Sequence, residues 1–460
     1  MQTINPTTDE PIETYDEHDD EALERFVQRS ADRFESWSER PITERQALVG
    51  GIADVLCENE DDYAALMTRE MGKPIEQARA EIEKCSWVCE FYAEHAAQFL
   101  QDERIGVHPR AKTKVSYEPL GPLLAVMPWN YPFWQVLRVA APTLAAGNTV
   151  LLSHARNVTG CATTIERVLA DAGFPDGAFT TILVDDDSLH DVIADDRVAA
   201  ATLTGSVRAG RAVAETTGAN LKPTVLELGG SDPFVVLDDA PLERACEVGA
   251  QARVNNNGQA CIAAKRFIVV EDVYEEFRDG FVREMESLTV GDPTDPDTDV
   301  GPIARADLLD TLETQVTESL DAGATALTGG ERINREGYFF EPTVLEDVPA
   351  DSPAGCDELF GPVASLFVVE DEDEAIALAN DTEFGLGASV WTTDLERGER
   401  VAHELEAGAA FVNELVQSHP KLPFGGIKNS GYGRELAADG IREFTNKKTV
   451  WVSPADGLDE

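Results

Sequence analysis

The stretch "GPLLAVMPWNYPFW", residues 121–134, joins an apolar run to a turn of prolines and aromatic residues, and a helical pattern follows the turn. Short apolar runs and helical segments continue to alternate up to about residue 237, at "TVLL", "FTTILV", "AATLT" and "PTVLEL". Short apolar runs between amphipathic helices are typical of parallel strands that are covered on both faces. The stretch therefore predicts an α/β fold built on a parallel sheet.

A second α/β series and a separate arm extend this prediction to the rest of the chain. The second series begins at "PFVVL" (233–237) and runs to about residue 412, while residues 21–100 carry a helical pattern. The alternating segment "TKVSYE" (113–118) and the late segment "FTNKKTVWVSP" (444–454) predict strands. We therefore expect two interleaved α/β domains and a small β arm.

The charge balance is strongly acidic. The 460 residues include 86 Asp and Glu against 37 Lys and Arg, which gives a net charge of −49 and a pI near 4.3. The simplest interpretation is a solvated acidic surface. A sharper one is adaptation to multimolar salt, because at 1 M salt the Debye length falls to about 3 Å and repulsion between surface acids is suppressed. We predict a halophilic protein, and such a surface argues against nucleic acid and anionic membranes as partners.

The absence of targeting segments and the pattern of cysteines both indicate the cellular compartment. No apolar stretch approaches the roughly 20 residues that span a bilayer, and the first residues, "MQTINPTTDEPIETY", lack the basic and apolar regions of a signal peptide. The seven cysteines are odd in number and irregularly spaced, and no CxxC pattern occurs, so a metal site is not predicted. We expect a soluble cytoplasmic protein in which most cysteines are small buried hydrophobes.

One cysteine has a different setting. Cys261 stands in "NNNGQACIAAKR" (255–266), after a glycine that permits a tight turn and shortly before Lys265 and Arg266. It is either a core-filling thiol or a nucleophile. Only the thiolate attacks, and a nearby cation or helix N-terminus would lower the thiol pKa.

Two polar residues, one at a strand end and one just ahead of a helix, could cooperate with Cys261. Glu227 ends the apolar run of "VLELGG", where partial burial would raise its pKa toward the range of a general base. Taken alone, it also fits an acid that caps the next turn. Asn130 lies in "MPWNYPFW", where it fits a turn or an N-cap residue, or an amide that donates to an oxyanion.

The segment "LTGSVRAG" (203–210) predicts a strand, a turn and the start of a helix. Gly205 and Ser206 form the turn, and Gly210 completes a GxxxxG pattern. Backbone N–H groups and the positive end of a helix would then meet where a pyrophosphate could bind. The segment lacks the GxGxxG fingerprint and the Lys-Ser/Thr of a P-loop, so the motif is weak by itself.

Together these segments resemble the aldehyde dehydrogenase superfamily. "PWNYP", "TGS", "LELGG", "NNGQAC", "ELFGPV" and "LPFGGIKNSGYGRE" occur in the order and at the spacing of that family, and the likeness covers essentially the entire chain. The branch that includes succinate-semialdehyde dehydrogenases is the most similar. The resemblance implies two Rossmann-type domains and oxidation of an aldehyde to an acid with NAD or NADP. It implies an NAD(P)-binding domain at 1–110 and 120–228, a catalytic domain at 229–420, and an oligomerisation arm of a homodimer or homotetramer at 111–119 and 440–460.

The resemblance also assigns roles. Cys261 would be the nucleophile, Glu227 the base that activates water, and Asn130, with the Cys261 backbone N–H, the oxyanion hole. The cofactor would lie against residues of five segments: Trp129, Ser153 and Arg156, Gly205, Ser206 and Gly210, Leu228, and Glu358 with Phe360.

One departure from the family concerns the cofactor. Ser153, in "VLLSHARN", occupies the place of a lysine that reaches the adenine ribose in other members. Arg156, three residues later, stands where NAD-preferring members often carry an acid. An arginine there could bind a 2′-phosphate, so NADP is slightly favoured, with a solvated arginine as the alternative.

Substrate identity depends on Arg138, eight residues after Asn130. In the succinate-semialdehyde branch an arginine at this position resembles the clamp for the remote carboxylate of the substrate. A structural arginine is the alternative, and Asn255 replaces a second arginine that some members carry. The competing functions are another neutral or sugar-derived aldehyde, a CoA-acylating enzyme, a cofactor-independent cysteine thioesterase or acyltransferase, and a non-catalytic protein. A cysteine hydrolase would need a histidine partner, and neither His190 nor His403 lies in a recognisable motif.

Overall fold

The computed structural model describes residues 1–455, so residues 456–460 of the predicted arm lie outside the described residues. Its α-helices are α1 (Asp20–Ser38), α2 (Ile42–Glu58), α3 (Glu60–Met71), α4 (Ile75–Phe99), α5 (Trp134–Ala146), α6 (Thr159–Asp171), α7 (Asp186–Ala194), α8 (Val207–Ala219), α9 (Leu242–Val254), α10 (Glu271–Ser287), α11 (Ala306–Ala322), α12 (Pro353–Cys356), α13 (Glu372–Asn380), α14 (Leu395–Glu404) and α15 (Ala437–Glu443). Short 3₁₀ helices cover Arg156–Val158, Asn255–Gly258 and Lys428–Ser430.

The strands are β1 (Gln2–Asn5), β2 (Glu10–Thr14), β3 (Glu103–Arg104), β4 (Lys112–Pro119), β5 (Pro122–Met127), β6 (Thr149–His154), β7 (Phe179–Thr181), β8 (Ala200–Thr204), β9 (Thr224–Glu227), β10 (Asp232–Val236), β11 (Ala264–Val270), β12 (Thr325–Thr328), β13 (Thr343–Glu346), β14 (Val363–Val369), β15 (Gly387–Trp391), β16 (Ala409–Val412), β17 (Gly431–Tyr432) and β18 (Thr445–Val452).

The first sheet contains the predicted alternation. Its order is β17-β9-β8-β5-β6-β7, and every pair is parallel except β17 with β9. The strands β5, β6 and β8 are buried almost throughout, as expected for a parallel sheet with helices on both faces. The apolar runs of the sequence therefore form the centre of this sheet, as predicted.

The second sheet has the order β12-β13-β14-β11-β10-β15-β16 and is parallel except for its edge strand β12. The aromatic side chains Phe234, Phe267, Phe277, Phe281 and Trp391 pack together on one of its faces. This sheet has its own core, so the chain forms two α/β units.

The helices α2, α3, α4 and α5 pack against one another, and their apolar side chains join the core of the first sheet. α4 is the longest helix, and one of its faces is fully buried at Ala78, Ile82, Cys85 and Cys89. This packing matters for function because it fixes α5, whose N-terminus follows the Trp129–Asn130 turn.

A third sheet, β18-β4-β3, is antiparallel and shares no strand with the two α/β sheets. β3 lies within the range 1–110 and pairs with β4, which lies within the range 111–119. The edge strand β17 pairs with Glu227 and Leu226 of the first sheet although residues 421–439 were assigned to no domain. The roles given to the domain ranges remain predictions. Among residues 1–455, no helix is both long and apolar enough to cross a lipid bilayer.

Candidate active site

Three neighbouring strands of the first sheet form one wall of a cavity of about 230 Å³. Carboxyl ends of parallel strands meet at the same edge of a sheet, and polar groups collect there. The wall consists of Thr204, the last residue of β8, and of residues that follow β5, β8 and β9 directly: Pro128, Trp129 and Asn130, Gly205 and Ser206, and Leu228 and Gly229. The opposite wall contributes Cys261, Leu308, Glu358 and Phe360 from the second α/β unit.

The loop that carries Cys261 has an unusual backbone. Asn256, Asn257 and Gly258 all have positive φ, at 56°, 58° and 74°. A Cβ on Gly258 would lie 2.3 Å from the carbonyl carbon of Gly361, so only glycine fits there. The loop turns sharply, as predicted for Gly258, and packs against the segment that holds Glu358 and Phe360.

Asn130 is held by this loop. Its side-chain nitrogen donates to the carbonyl oxygen of Gln259 at 3.0 Å, and the Asn256 side chain donates back to the Asn130 carbonyl at 2.8 Å. Asn256 and Gln259 are themselves fully buried. One N–H of the Asn130 amide is therefore used for positioning, and Asn130 lines the same cavity as Cys261.

The Cys261 thiol is partly buried and reduced. Burial raises its pKa to about 12, although the positive charges of Arg138 and Lys265 act in the opposite direction. Lys265 donates to the carbonyl oxygens of Ala260, Cys261 and Ala263 at 2.9–3.2 Å. Of the two cations predicted near Cys261, Lys265 acts on the thiol, whereas Arg266 donates to the carbonyl oxygens of Ser231, Leu378 and Ala379. Desolvation prevails over Lys265 and Arg138, so the resting thiol is protonated at neutral pH.

Glu227 is buried beside this cavity rather than in its lining. Its carboxylate has no hydrogen-bond partner among the described residues and packs against Gly425. Burial and the negative charge of Glu435 raise its pKa well above the usual value, while Arg138 and Arg434 act against this shift. The pKa of this carboxyl group is therefore shifted in the direction that the sequence predicts, and its neighbour Leu228 lines the cavity.

Arg138 connects these groups electrostatically. It projects from α5, its guanidinium forms an ion pair with Glu435, and both side chains are almost completely buried. A further nitrogen of Arg138 lies 3.4 Å from Thr204 Oγ1. The charge of Arg138 acts on both Cys261 and Glu227, but its guanidinium is not part of the lining of the cavity.

The remaining wall shows how a dinucleotide could be held. Ser206 is the N-cap of α8, and its hydroxyl accepts from the backbone N–H of Ala209, so the helix N-terminus opens toward the cavity. Glu358 accepts from the Gly230 N–H at 3.1 Å and lies 3.4 Å from Lys265 Nζ. The ring of Phe360 meets Trp129 edge-on at 5.7 Å.

Comparison with known proteins agrees with this geometry. Residues 1–450 match the model of the aldehyde dehydrogenase family. The chain belongs to the aldehyde dehydrogenase family. It is 48% identical over 453 residues to a probable succinate-semialdehyde dehydrogenase [NADP(+)] of Synechocystis sp., covering 98% of this chain and all of that protein. It is 47% identical to succinate-semialdehyde dehydrogenase [NADP(+)] 1 of Mycobacterium tuberculosis, at the same two coverages.

A solved structure of a family member confirms the fold. Succinic semialdehyde dehydrogenase from Streptococcus pyogenes in complex with NADP⁺ superposes with a TM-score of 0.96 at 36% identity, covering 98% of this chain and all of that one. The predicted fold class and family are therefore correct. The protein is an aldehyde dehydrogenase, an oxidoreductase that converts aldehydes to carboxylic acids.

The structure of this aldehyde dehydrogenase places eight of the predicted site residues in the lining of one cavity: Trp129, Asn130, Gly205, Ser206, Leu228, Cys261, Glu358 and Phe360. The other five lie outside the lining. Gly210 packs against the lining residue Leu228, and a Cβ on Gly210 would lie 2.6 Å from both methyl groups of Leu228. Ser153 is buried at the end of β6, and Arg156 is half exposed and pairs with Glu17 at 3.2 Å.

Sequence reasoning missed four residues that hold the site. Asn256 and Gln259 fix Asn130, Glu435 pairs with Arg138, and Arg253 donates to the Gly258 carbonyl at 2.7 Å. Asn256, Gln259 and Glu435 stand in motifs that were quoted, so their motif membership was the available signal. Arg253 offered only its place near the end of a helix.

Proposed function

We propose that this aldehyde dehydrogenase oxidises succinate semialdehyde to succinate and prefers NADP. The proposal rests on similarity over almost the entire chain to proteins with that name. The observation that carries it is the position of Cys261, which shares a cavity with Asn130 and lies under the positive charge of Arg138. A nucleophile beside an oxyanion donor suits addition to a carbonyl, and a cation nearby suits an anionic substrate.

In the first half-reaction the Cys261 thiolate adds to the aldehyde carbon. The side-chain amide of Asn130 and the backbone N–H of Cys261 stabilise the oxygen anion that forms, and one such donor contributes about 10²- to 10³-fold. A nicotinamide cofactor bound in the cavity would accept the hydride that leaves the former aldehyde carbon, and the acyl group would remain on Cys261 as a thioester. Because only the thiolate adds and the pKa of the resting thiol is about 12, this step should accelerate as pH rises.

In the second half-reaction Glu227 takes a proton from water, which attacks the thioester and releases the acid. Glu227 lies at the end of β9, next to Leu228 of the lining. We infer that its side chain rotates from the Gly425 side into the cavity for this step. The raised pKa of Glu227 makes it an effective proton acceptor, and only its ionised form can act, so hydrolysis should also accelerate with pH.

The residues present fit a dinucleotide. The helix N-terminus at Ser206 suits a pyrophosphate, and Glu358 is fixed at the edge of the cavity where it could accept from a ribose hydroxyl. Ser153 supplies no cation, whereas Arg156 is half exposed and forms an ion pair with Glu17, and its charge also acts on Asp185. A 2′-phosphate would compete with Glu17 for this guanidinium, which is the basis for preferring NADP.

The alternative of a cysteine hydrolase has no support. Among the side chains that line the cavity in the described chain, none is a histidine. His154, the last residue of β6, is buried between the carbonyl oxygens of Met127 and Pro132, and burial lowers its pKa to about 4.

The decisive experiment measures reduced cofactor by absorbance with succinate semialdehyde and with butanal, each with NADP and NAD, with and without CoA, in molar KCl. We expect kcat/KM to be highest for succinate semialdehyde with NADP and to be independent of CoA. An equal rate with butanal would refute the substrate, a preference for NAD would refute the role of Arg156, and a requirement for CoA would indicate acyl transfer instead of hydrolysis.

We also propose that the enzyme is a cytoplasmic homodimer or homotetramer. All seven cysteines are free thiols, which fits a reducing compartment. Trp451 and Val452 on the edge strand β18 are about half exposed, and an exposed apolar edge strand invites pairing with a second chain. Sedimentation in molar KCl should give a dimer or tetramer, and deleting residues 445–460 should give smaller species.

A further inference from the structure

The turn that carries Asn130 leads into α5 without a cap of its own. Phe133 is the N-cap of this helix, and its side chain has no polar group that could accept from the first backbone N–H groups. Buried N–H groups at the start of a helix need an acceptor. Phe133 and Trp134 are both buried, so the start of α5 depends on an acceptor from another part of the chain.

Glu81 of α4 supplies this acceptor. One oxygen of its carboxylate, Oε1, accepts from the backbone N–H groups of Phe133 and Trp134, each at 2.9 Å. The other oxygen, Oε2, pairs with the ammonium of Lys73. Both side chains of this pair are buried, Lys73 completely. A carboxylate is favoured at the positive end of a helix, and here a buried cation balances its charge.

Lys73 holds the turn at a second point. Its ammonium lies 3.8 Å from the centroid of the Tyr131 ring, and such a contact is strongest where water is excluded. The backbone N–H of Tyr131 donates to Asn130 Oδ1 at 3.2 Å. Lys73 therefore fixes the residue that orients the Asn130 amide, and Glu81 fixes the two residues at the end of the turn.

The segment before Lys73 also contacts the loop that carries the nucleophile. The carbonyl oxygen of Gly72 accepts from the Asn257 side chain at 2.8 Å. Asn257 follows Asn256 directly, and the Asn256 side chain donates to the Asn130 carbonyl at 2.8 Å. The turn is thus fixed from one side by the loop of the nucleophile and from the other by the buried ion pair.

We propose that Lys73 and Glu81 are positioning residues for the oxyanion donor Asn130. The inference rests on the proposed function, in which the Asn130 amide stabilises the oxyanion, and it adds the pair that holds this donor in place. One oxyanion donor contributes about 10²- to 10³-fold, and a displacement of about 1 Å can cost about 10²-fold. Loosening the turn should therefore slow addition to the aldehyde, but not reactions of the thiol that form no oxyanion.

The test measures the single-turnover rate of cofactor reduction in two variants, each alone and combined with Asn130→Ala. Glu81→Met removes the acceptor and should lower this rate about 10- to 100-fold. The neutral pair, Lys73→Met with Glu81→Gln, loses the contact with Tyr131 but leaves no unpaired buried charge, and it should lower the rate about 3- to 10-fold. Combined with Asn130→Ala, both should change the rate less than about twofold further, because they act through Asn130.

Two measurements separate this role from a general loss of structure. Alkylation of Cys261 by iodoacetamide displaces iodide and forms no oxyanion, so its rate in the enzyme without cofactor should stay within about twofold of the parent in every variant. Glu70→Met is the matched control, because Glu70 is also a fully buried carboxylate that accepts from two backbone N–H groups, those of Gly160 and Cys161 at the start of α6. Glu70→Met should lower Tm and leave the single-turnover rate unchanged.

A normal single-turnover rate in the neutral pair would overturn the inference, whether or not Glu81→Met folds. Effects that multiply with that of Asn130→Ala would also overturn it, as would alkylation that slows in parallel with cofactor reduction, because both would indicate a structural role. If Asn130→Ala itself keeps the parent rate, the oxyanion role of Asn130 in the proposed function is wrong, and the inference is wrong with it.

Discussion

Replacing Glu435 with Gln should move the pH dependence of this enzyme toward lower pH. Glu435 carries the negative charge that helps to raise the pKa of Glu227, and it neutralises Arg138. Gln has nearly the same shape but no charge. The change removes repulsion from Glu227 and leaves Arg138 free to stabilise both the Glu227 carboxylate and the Cys261 thiolate. Both pKa values should therefore fall, and both half-reactions should reach their full rate at lower pH.

The size of the effect follows from the burial of the pair. An opposite charge at close range lowers a carboxyl pKa by about one to three units, so we expect the acid limb of the kcat profile to move by at least about one unit. Breaking a buried ion pair costs about 3–5 kcal/mol because one charge stays behind unpaired. With an unfolding entropy of about 2.1 cal/mol/K per residue, that cost lowers Tm by about 4 °C if the chain unfolds as one unit.

The assay is the initial rate of cofactor reduction from pH 5 to 10 at saturating substrate, with thermal melts in the same buffers. Glu70→Gln is the matched control, because Glu70 is fully buried and accepts from the backbone N–H groups of Gly160 and Cys161 at the start of α6. Glu70→Gln should lower Tm and leave the profile in place. An acid limb that stays in place in Glu435→Gln, or moves upward, would refute the electrostatic link between Glu435 and Glu227.

Three further changes test other parts of the site. Glu227→Gln should keep the first burst of reduced cofactor but slow steady-state turnover at least about 100-fold in stopped-flow traces; a normal steady state would remove Glu227 from hydrolysis. Gly258→Ala should destabilise the protein by more than about 2 kcal/mol in urea titrations, because its φ of 74° and the 2.3 Å approach to Gly361 exclude a Cβ; Gly106→Ala, with open space around it, is the control. Arg156→Glu should raise the KM for NADP at least about 10-fold and leave that for NAD nearly unchanged; equal changes for both would contradict the 2′-phosphate role.

Much of the fold was predictable because local pattern and tertiary environment agree. The runs around Leu124, Leu152 and Leu203 are apolar on both faces and form the centre of a parallel sheet. Edge strands were harder to predict. β17 has only two residues and forms because it can pair with the edge of β9. β12 is polar and half exposed. Neither strand therefore shows a hydrophobic periodicity in the sequence.

The site was predictable where residues follow strand ends. Asn130 and Ser206 meet in one cavity because β5 and β8 are adjacent and parallel. Side-chain direction and ion pairing were not predictable, because they depend on partners far along the chain. Glu227 lies against Gly425, and Arg138 pairs with Glu435, and both partners come from the segment after the second sheet.

The excess of acidic residues in this chain lies on its surface, because the buried charges nearly balance one another. Among the described residues, six cations and five carboxylates are buried: Arg45, Lys73, Arg138, Arg253, Lys265 and Arg266, and Glu70, Glu81, Glu227, Asp232 and Glu435. The interior is thus almost neutral, although acids outnumber cations 86 to 37 in the whole chain. Salt screens exposed charges far more than buried ones. Removing molar KCl should therefore lower the unfolding free energy, while the pKa values that govern Cys261 and Glu227 stay nearly constant in the protein that remains folded.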